Sequence, residues 1–298
     1  MTDVQGSTLE LERLSAEEMA TRFGMARAGA RPPLATYLRE LWGRRHFVVS
    51  YTRASNAAMY SNSFLGQIWQ VLTPLLNAAV YYFIFGLLLK TKHGIPNYIG
   101  FLTIGIFVFT YMQNSIIHGA RSVTNNLNII RALHFPRASL PLGTTAIAFQ
   151  QLLGSLCALL PIVLLTGEPV RLSWLLLAPI LFFESLFALG MALIIARIGA
   201  AVPDTSQFLP FVLRTWLYMS GIFYSITEFT KGKPEWVRVV LELNPGALYP
   251  ELVRHALLVH PGGKLTPFVW VAAVGWAVVA VVVGLIYFWH GEEQYGRG

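Results

Sequence analysis

The chain has 298 residues, of which 55% are hydrophobic and only 12% are charged. This composition is typical of a protein embedded in a lipid bilayer and excludes an ordinary water-soluble domain. The formal net charge of +7 does not indicate nucleic-acid binding, because the basic residues are scattered and flank apolar runs. The single cysteine, Cys157, lies inside an apolar run and excludes a disulfide within the chain.

The N-terminal region is predicted to remain in the cytoplasm and to reach the membrane surface. Residues 1–33 have mixed charges and no apolar core like that of a cleaved signal peptide, so we expect a cytoplasmic tail. Residues 34–54 predict an amphipathic helix that lies on the inner leaflet. The alternative is a helix packed on the protein's own cytosolic surface. The residues that define the helix are Tyr37, Leu41 and Trp42 on its apolar face and Arg44 and Arg45 on or beside the other.

Six apolar runs are each long enough to cross a bilayer core of about 30 Å, which takes roughly 20 helical residues. We therefore predict an all-α integral membrane protein of the inner (plasma) membrane. An even number of spans puts both termini on one side, and the basic residues before the first span favour the cytoplasm for that side. The predicted spans are residues 66–89, 97–117, 141–166, 172–198, 207–228 and 266–290.

A polar break, residues 118–140, separates the second predicted span from the third. Apolar residues recur in it at helical spacing, which predicts a short amphipathic helix over residues 120–133, ended by the corner at Pro136. We expect this helix to dock a cytoplasmic partner, because its apolar stripe suits a groove on another protein. The residues assigned to the contact are Val123, Leu127, Ile130 and Arg131.

Residues 234–260 precede the last predicted span and contain two short apolar helical faces. Asn244, Pro245 and Gly246 break the segment in two, and neither half is long enough to cross the membrane. We predict a pair of helices that lies at the outer interface or enters the protein from that side. A surface hairpin on the lipid headgroups is the alternative.

Several of these segments together resemble the permease subunits of ABC-2 type exporters of polysaccharide, O-antigen and teichoic acid. The matching residues are Leu65, Gly66, Trp69 and Pro74, the run Phe135 to Leu142, and Asn244, Pro245 and Arg254. One departure is the Pro203–Asp204 pair, where many members have Arg-Asp. Residue usage is most similar to that of the mycobacterial exporters of lipid-linked galactan. The resemblance covers nearly everything from Leu34 onward.

This resemblance implies a homodimer of permeases with two copies of a cytoplasmic ABC ATPase and a polyprenyl-linked glycan as substrate. The sequence contains no G-x-x-x-x-G-K-[ST] phosphate loop. ATP and Mg²⁺ are therefore expected on the partner subunit, with no cofactor or metal in this chain. We expect a transport permease rather than an enzyme, and contacts with membrane lipid but not with nucleic acid.

A transport pathway for sugars needs groups that replace water around hydroxyls and flat apolar surfaces for sugar faces. Gln70, Thr73, Asn77 and Tyr81 follow one another at spacings of 3, 4 and 4 residues and form one polar stripe on the first span. We predict that this stripe faces a pore or a partner. Helix packing and the interfacial aromatic belt are the alternative for the other aromatic residues assigned to the pathway: Tyr82, Phe85, Trp216, Tyr218, Phe223 and Tyr224.

Two charged residues lie inside predicted spans. Glu184 stands near the centre of the fourth span, where an unpaired acid costs about 2.5 kcal/mol or more. Arg214 in the fifth span is its partner by charge, although the two differ in depth by about 10 Å. Gln150 or Gln151 lies at a more compatible depth. A structural hydrogen bond, a place on the pore and proton coupling all remain open for Glu184.

Two other functions compete with glycan export. The same kind of permease could carry teichoic acid or a small hydrophobic drug. A membrane-embedded transferase or phosphatase acting on a polyprenyl lipid belongs to another class and needs converging acids and histidines. The acids are dispersed here, and His118 and His134 have no carboxylate in the same loop.

Overall fold

The computed structural model describes residues 32–60, 64–89, 95–133, 135–261 and 267–295. The predicted tail lies outside these ranges except for Pro32 and Pro33. Every regular element in the described ranges is a helix, which confirms the all-α class. The helices are α1 (Leu34–Gly43), α2 (Arg45–Tyr60), α3 (Trp69–Leu88), α4 (Tyr98–Arg121), α5 (Leu127–Ala132), α6 (Ser139–Leu165), α7 (Leu177–Ala201), α8 (Thr205–Met219), α9 (Ile226–Phe229), α10 (Glu235–Leu243), α11 (Pro245–Leu257) and α12 (Pro267–His290).

Five of the described helices are long and apolar enough to cross a membrane, namely α3, α4, α6, α7 with the 3₁₀ turn Leu172–Leu176 before it, and α12. The chain is therefore a multi-pass membrane protein. Helix α3 ends in a π-helical turn, Tyr82–Leu88, in which the Leu89 amide donates to the Ile84 carbonyl at 2.9 Å. The π turn widens the end of α3, and this end carries Tyr82 and Phe85 of the predicted pathway.

The predicted fifth span differs from the structure. Helix α8 ends at Met219 instead of residue 228, and its 15 residues rise only about 22 Å. The chain then turns at Gly221, whose φ of 60° is readily adopted only by glycine. Residues 220–225 stay largely buried without forming a helix. Backbone of this kind is tolerated at membrane depth only where protein supplies its hydrogen bonds.

Helix α7 packs against α4 on one side and α12 on the other, with small residues where the backbones meet. A Cβ added to Gly190 of α7 would lie 2.2 Å from the carbonyl carbon of Ala280 in α12. A Cβ on Gly119 of α4 would lie 2.8 Å from the Cα of Ala192. Such close approach increases van der Waals contact in a bilayer, where hydrophobic burial between spans contributes little.

The predicted amphipathic helix over 34–54 is two helices that meet at Arg44, whose ψ of 12° interrupts the helical path. Tyr37 is 1% exposed and Leu41 packs on the same core, whereas Trp42 is 73% exposed. The expectation that all three share one face was wrong for Trp42, because five residues turn a helix by about 140° away from Tyr37. Arg44 and Arg45 are both exposed, and the Arg45 guanidinium lies 5.9 Å from the Trp42 ring centre.

Helices α10 and α11 occupy the segment before the last span and have different environments. Helix α10 contains no buried residue, whereas most of α11 is buried, including Tyr249 and Leu252. Asn244 lies between the two helices. Its Oδ1 accepts a hydrogen bond from the Gly246 amide at 3.0 Å and so caps the start of α11. Helix α11 is thus part of the protein core and not a surface hairpin.

Candidate functional site

A polar cavity of about 270 Å³ lies between helices α3, α4 and α6. Three of the four residues in the predicted stripe, Gln70, Thr73 and Asn77, line it from α3. The part of the stripe from Gln70 to Asn77 therefore faces other polar groups of the same chain. The other lining residues with polar side chains include Thr110, Tyr111, Gln113, Asn114 and His118 from α4 and Gln151 and Ser155 from α6.

Hydrogen bonds connect the cavity to helix α2. The Gln70 side-chain amide donates to Asn56 Oδ1 at 3.1 Å, and the Asn56 amide donates to Gln150 Oε1 at 3.4 Å. The Ser155 hydroxyl of α6 also donates to the Gln70 carbonyl, at 3.3 Å. Helix α2, the first span and the third span are therefore linked at the edge of the cavity.

The fourth residue of the stripe, Tyr81, belongs to an aromatic cluster with Phe85, Tyr218 and Phe223. The Phe85 and Phe223 rings are stacked with centres 4.4 Å apart, and Tyr81 meets Phe223 edge-on at 4.9 Å. Tyr218 completes the cluster at 5.4 Å from Phe223. Four of the predicted pathway aromatics are thus brought together between α3 and the end of α8.

The other predicted aromatics lie outside this cluster. Tyr82 packs near Tyr98, with ring centres 6.2 Å apart. Tyr224 packs on Phe229. The Trp216 indole donates to Asn244 Oδ1 at 2.6 Å and so fixes the turn between α10 and α11. These three residues have structural contacts of their own.

Arg254 of α11 supports the non-helical segment after α8. Its guanidinium donates hydrogen bonds to three carbonyls, those of Phe101 at 3.1 Å, Gly221 at 3.2 Å and Ile222 at 3.1 Å. The next carbonyl, that of Phe223, accepts a hydrogen bond from the Tyr98 hydroxyl at 3.0 Å. The side chain is 2% exposed and lies over the Phe101 ring. Sequence reasoning gave Arg254 no role beyond a matching motif. An arginine within an apolar helical face was the signal that could have identified it.

The two charges inside the membrane do not pair in the part of the chain that the structure describes. Glu184 is 1% exposed, and its Oε2 has no hydrogen-bond partner there. Arg214 is exposed, so the charge partnership suggested by the sequence was wrong. Gln150 accepts a hydrogen bond from Asn56, and Gln151 lines the polar cavity.

At the end of the bundle that carries α1, a second polar junction forms around Glu292, just after α12. Its carboxylate accepts hydrogen bonds from the Tyr37 hydroxyl and the Arg137 amide, both at 2.9 Å, and the Arg137 side chain also donates to the Glu292 carbonyl. The Ala138 amide donates to the Tyr37 hydroxyl at 3.0 Å. Burial raises the pKa of Glu292, and the hydrogen bond from Arg137 opposes this shift. The junction joins α1, the start of α6 and the end of α12.

The predicted docking stripe faces this same core. Val123 is 2% exposed and Ile130 is 6% exposed, and both pack in the cluster that contains Tyr37. Leu127 is partly buried against it, while Arg131 is exposed. The helical segment is also shorter than predicted, because α4 continues to Arg121 and α5 covers only Leu127–Ala132. The outward surface of this segment is formed by Asn125, Asn128, Arg131, Ala132 and Leu133.

Comparison with known proteins identifies the family. Residues 47–258 match the family model described as ABC-2 type transporter. The chain belongs to this family. An O-antigen export system permease protein, RfbA of Klebsiella pneumoniae, is 27% identical over 191 residues, which cover 64% of this chain and 73% of that protein. A protein of the same name from Myxococcus xanthus is 24% identical over 208 residues, 70% of this chain and 78% of its own.

The region that matches the ABC-2 family model contains most of the site described above. It begins in α2 and ends just after α11, so it includes the polar cavity, the aromatic cluster and Arg254. Helix α12 and Glu292 lie beyond it. The chain is thus a membrane transport subunit. Among the described residues, no group of three or more His, Cys, Asp or Glu side chains could hold a metal ion.

Proposed function

We propose that this ABC-2 permease exports a lipid-linked polysaccharide from the cytoplasmic to the outer side of the inner membrane. The observation that carries the proposal is that one helix, α3, presents both a polar cavity and an aromatic cluster. The relatives named above, which are O-antigen export permeases, support the same class of cargo.

The two parts of α3 suit the two chemical faces of a sugar. Amide and hydroxyl groups such as those of Gln70 and Asn77 can exchange hydrogen bonds with sugar hydroxyls that leave water. Aromatic rings such as Tyr81 and Phe85 offer flat apolar surface with a polar edge. Asn77 and Tyr81 are about 6 Å apart along the helix, so one saccharide chain can contact both parts.

For the assembly, we propose a homodimer with two cytoplasmic ABC ATPase subunits that hold ATP and Mg²⁺. Membership of the ABC-2 family supports the ATPase partner, and this chain has no phosphate loop of its own. Exposed aromatic residues on α8, Phe208 and Phe211, support a further contact in the membrane with a second copy. We place both termini in the cytoplasm, with α8 and the buried segment after it as a further crossing beside the five long helices, and we place the outward surface of α5 against the ATPase.

Complementation tests the proposed function. The permease and its ATPase are expressed in a host strain that makes a lipid-linked polysaccharide but lacks its own export permease. We expect polysaccharide at the cell surface with the wild-type permease and intracellular accumulation with an Asn77→Leu variant. The Arg238→Gln variant, altered in a partly exposed ion pair of α10, serves as a control. Accumulation inside cells that contain the wild-type complex would refute the proposal.

For the cargo itself we propose a galactan, since residue usage in the chain is similar to that of galactan exporters. Linkage analysis of the surface polysaccharide after expression in a galactan-producing strain measures this directly. Export of O-antigen or teichoic acid but not of galactan would leave the permease function intact and refute the choice of cargo.

A further inference from the structure

Arg214 occupies an unusual position on helix α8. It lies nine residues after the start of the helix, about 14 Å along it, and is exposed. Gln207, Phe211 and Tyr218 share its exposed face at spacings of four, three and four residues. Tyr218, one turn after Arg214, is a member of the aromatic cluster, with its ring centre 5.4 Å from that of Phe223. The charge therefore lies beside the aromatic cluster.

A guanidinium in the middle of a helix that lies in the membrane is costly unless it meets water or a negative charge. Among the described residues, the ion pairs do not include Arg214. The first span and α8, whose faces meet at the cluster, contain no aspartate or glutamate. Asp204 precedes α8 and is about 15 Å from Arg214 along the helix, too far for a direct contact.

The same helices of a second copy do not supply the missing negative charge. In a twofold dimer both subunits present the same surface, so the partner contributes another Arg214 and no carboxylate from these helices. Two facing guanidinium groups repel each other and favour an anion between or beside them. With no carboxylate on these helices in either copy, a bound anion is the counter-charge that this face of α8 favours.

We propose that Arg214 binds the phosphate that joins the glycan to its lipid carrier. This inference rests on the proposed export function. The planar guanidinium can donate two parallel hydrogen bonds to phosphate oxygens, which a lysine cannot reproduce. The hydroxyls of Tyr81 and Tyr218 offer further donors, and the neighbouring rings can hold the first sugars. The ligand class is a phosphate or diphosphate ester of a long-chain isoprenoid.

The test measures binding of geranylgeranyl diphosphate to the complex of permease and ATPase in phosphatidylcholine nanodiscs. Geranylgeraniol, which has the same chain without the phosphates, is the matched ligand control. We expect Arg214→Gln to weaken diphosphate binding about tenfold or more and to leave alcohol binding unchanged. Arg214→Lys should recover part of the loss. Arg238→Gln removes one positive charge elsewhere and should bind like the wild type.

Unchanged diphosphate binding in Arg214→Gln would overturn the proposal, as would an equal loss of diphosphate and alcohol binding. Nanodiscs that contain phosphatidylglycerol test the other source of phosphate. If this lipid abolishes diphosphate binding to the wild type, the site is a phospholipid headgroup site and the assignment to the cargo is wrong. Failure of this inference leaves surface polysaccharide from the wild-type complex unaffected, whereas failure of the proposed function removes it.

Discussion

Replacing Arg254 with methionine removes the side chain that supports the non-helical segment after α8. The guanidinium donates to three carbonyls and pairs with Glu251 at 3.2 Å. The Phe101 carbonyl belongs to helix α4 and keeps its helical partner when Arg254 is lost. The carbonyls of Gly221 and Ile222 lie in the turn and lose the donor that the structure gives them.

The magnitude of the loss follows from these two acceptors. A buried acceptor left without a donor costs about 1–3 kcal/mol, so the two together cost about 2–6 kcal/mol. Removing a buried charge also relieves its desolvation penalty, which offsets part of this cost. Glu251 is partly exposed and can meet water after the loss, so the two carbonyls set the scale, and we expect Arg254→Met to cost about 2–6 kcal/mol. Arg254→Lys keeps the charge but not the geometry and should cost less.

The assay is equilibrium unfolding of the purified permease in detergent, followed by helical circular dichroism. Arg238→Met is the matched control, because Arg238 pairs with Glu242 on exposed α10 and its loss should cost about 0.5 kcal/mol. If Arg254→Met is as stable as this control, the hydrogen bonds do not support the turn. The explanation given for the early end of α8 would then be refuted.

Three further predictions concern the other parts of the site. Burial raises the pKa of Glu292 above its ordinary value of 4.5, so the contribution of Glu292 to stability is complete below pH 4.5 and is lost as pH rises through the raised pKa. Glu292→Gln should flatten this fall in melting temperatures measured over a series of pH values. Asn77→Leu should reduce export while basal ATPase activity and assembly persist, whereas a dissociated dimer would show that the stripe is a packing surface. Ile130→Asp should lower stability by about 2–5 kcal/mol because it buries an unpaired charge, while exposed Asn128→Asp should leave stability within about 0.5 kcal/mol and change ATPase coupling. Equal stability of these last two variants would contradict the buried placement.

The apolar runs were sufficient to predict the long helices, because about 20 apolar residues can satisfy their backbone in a bilayer only as a helix. They could not predict the end of α8. Ile222, Phe223 and Tyr224 follow soon after Met219 and Ile226 comes next, so hydropathy alone does not end the run at Met219. The non-helical backbone after Met219 is supported by Arg254 and Tyr98, which bind the carbonyls of residues 221–223 and are both distant in the chain.

The site was predictable in part for a similar reason. The spacing of Gln70, Thr73 and Asn77 showed that they share a face, and polar groups on one face of a span must meet polar neighbours. The periodicity of Val123 and Ile130 likewise showed an apolar face. Periodicity does not reveal whether that face packs on another protein or on the same chain, and here it packs on the same chain.

The position of the aromatic cluster depends on Arg254. Phe223 lies at the centre of the cluster, yet it belongs to the turn after α8 and not to the helix. The carbonyls of Gly221, Ile222 and Phe223 are held by side chains from α11 and α4, so the Phe223 ring is fixed to those elements. A displacement of α11 would therefore move Phe223 relative to Phe85 and Tyr81 and open the stacked contact with Phe85. This makes the buried helix α11 the element that sets the width of the aromatic part of the proposed pathway.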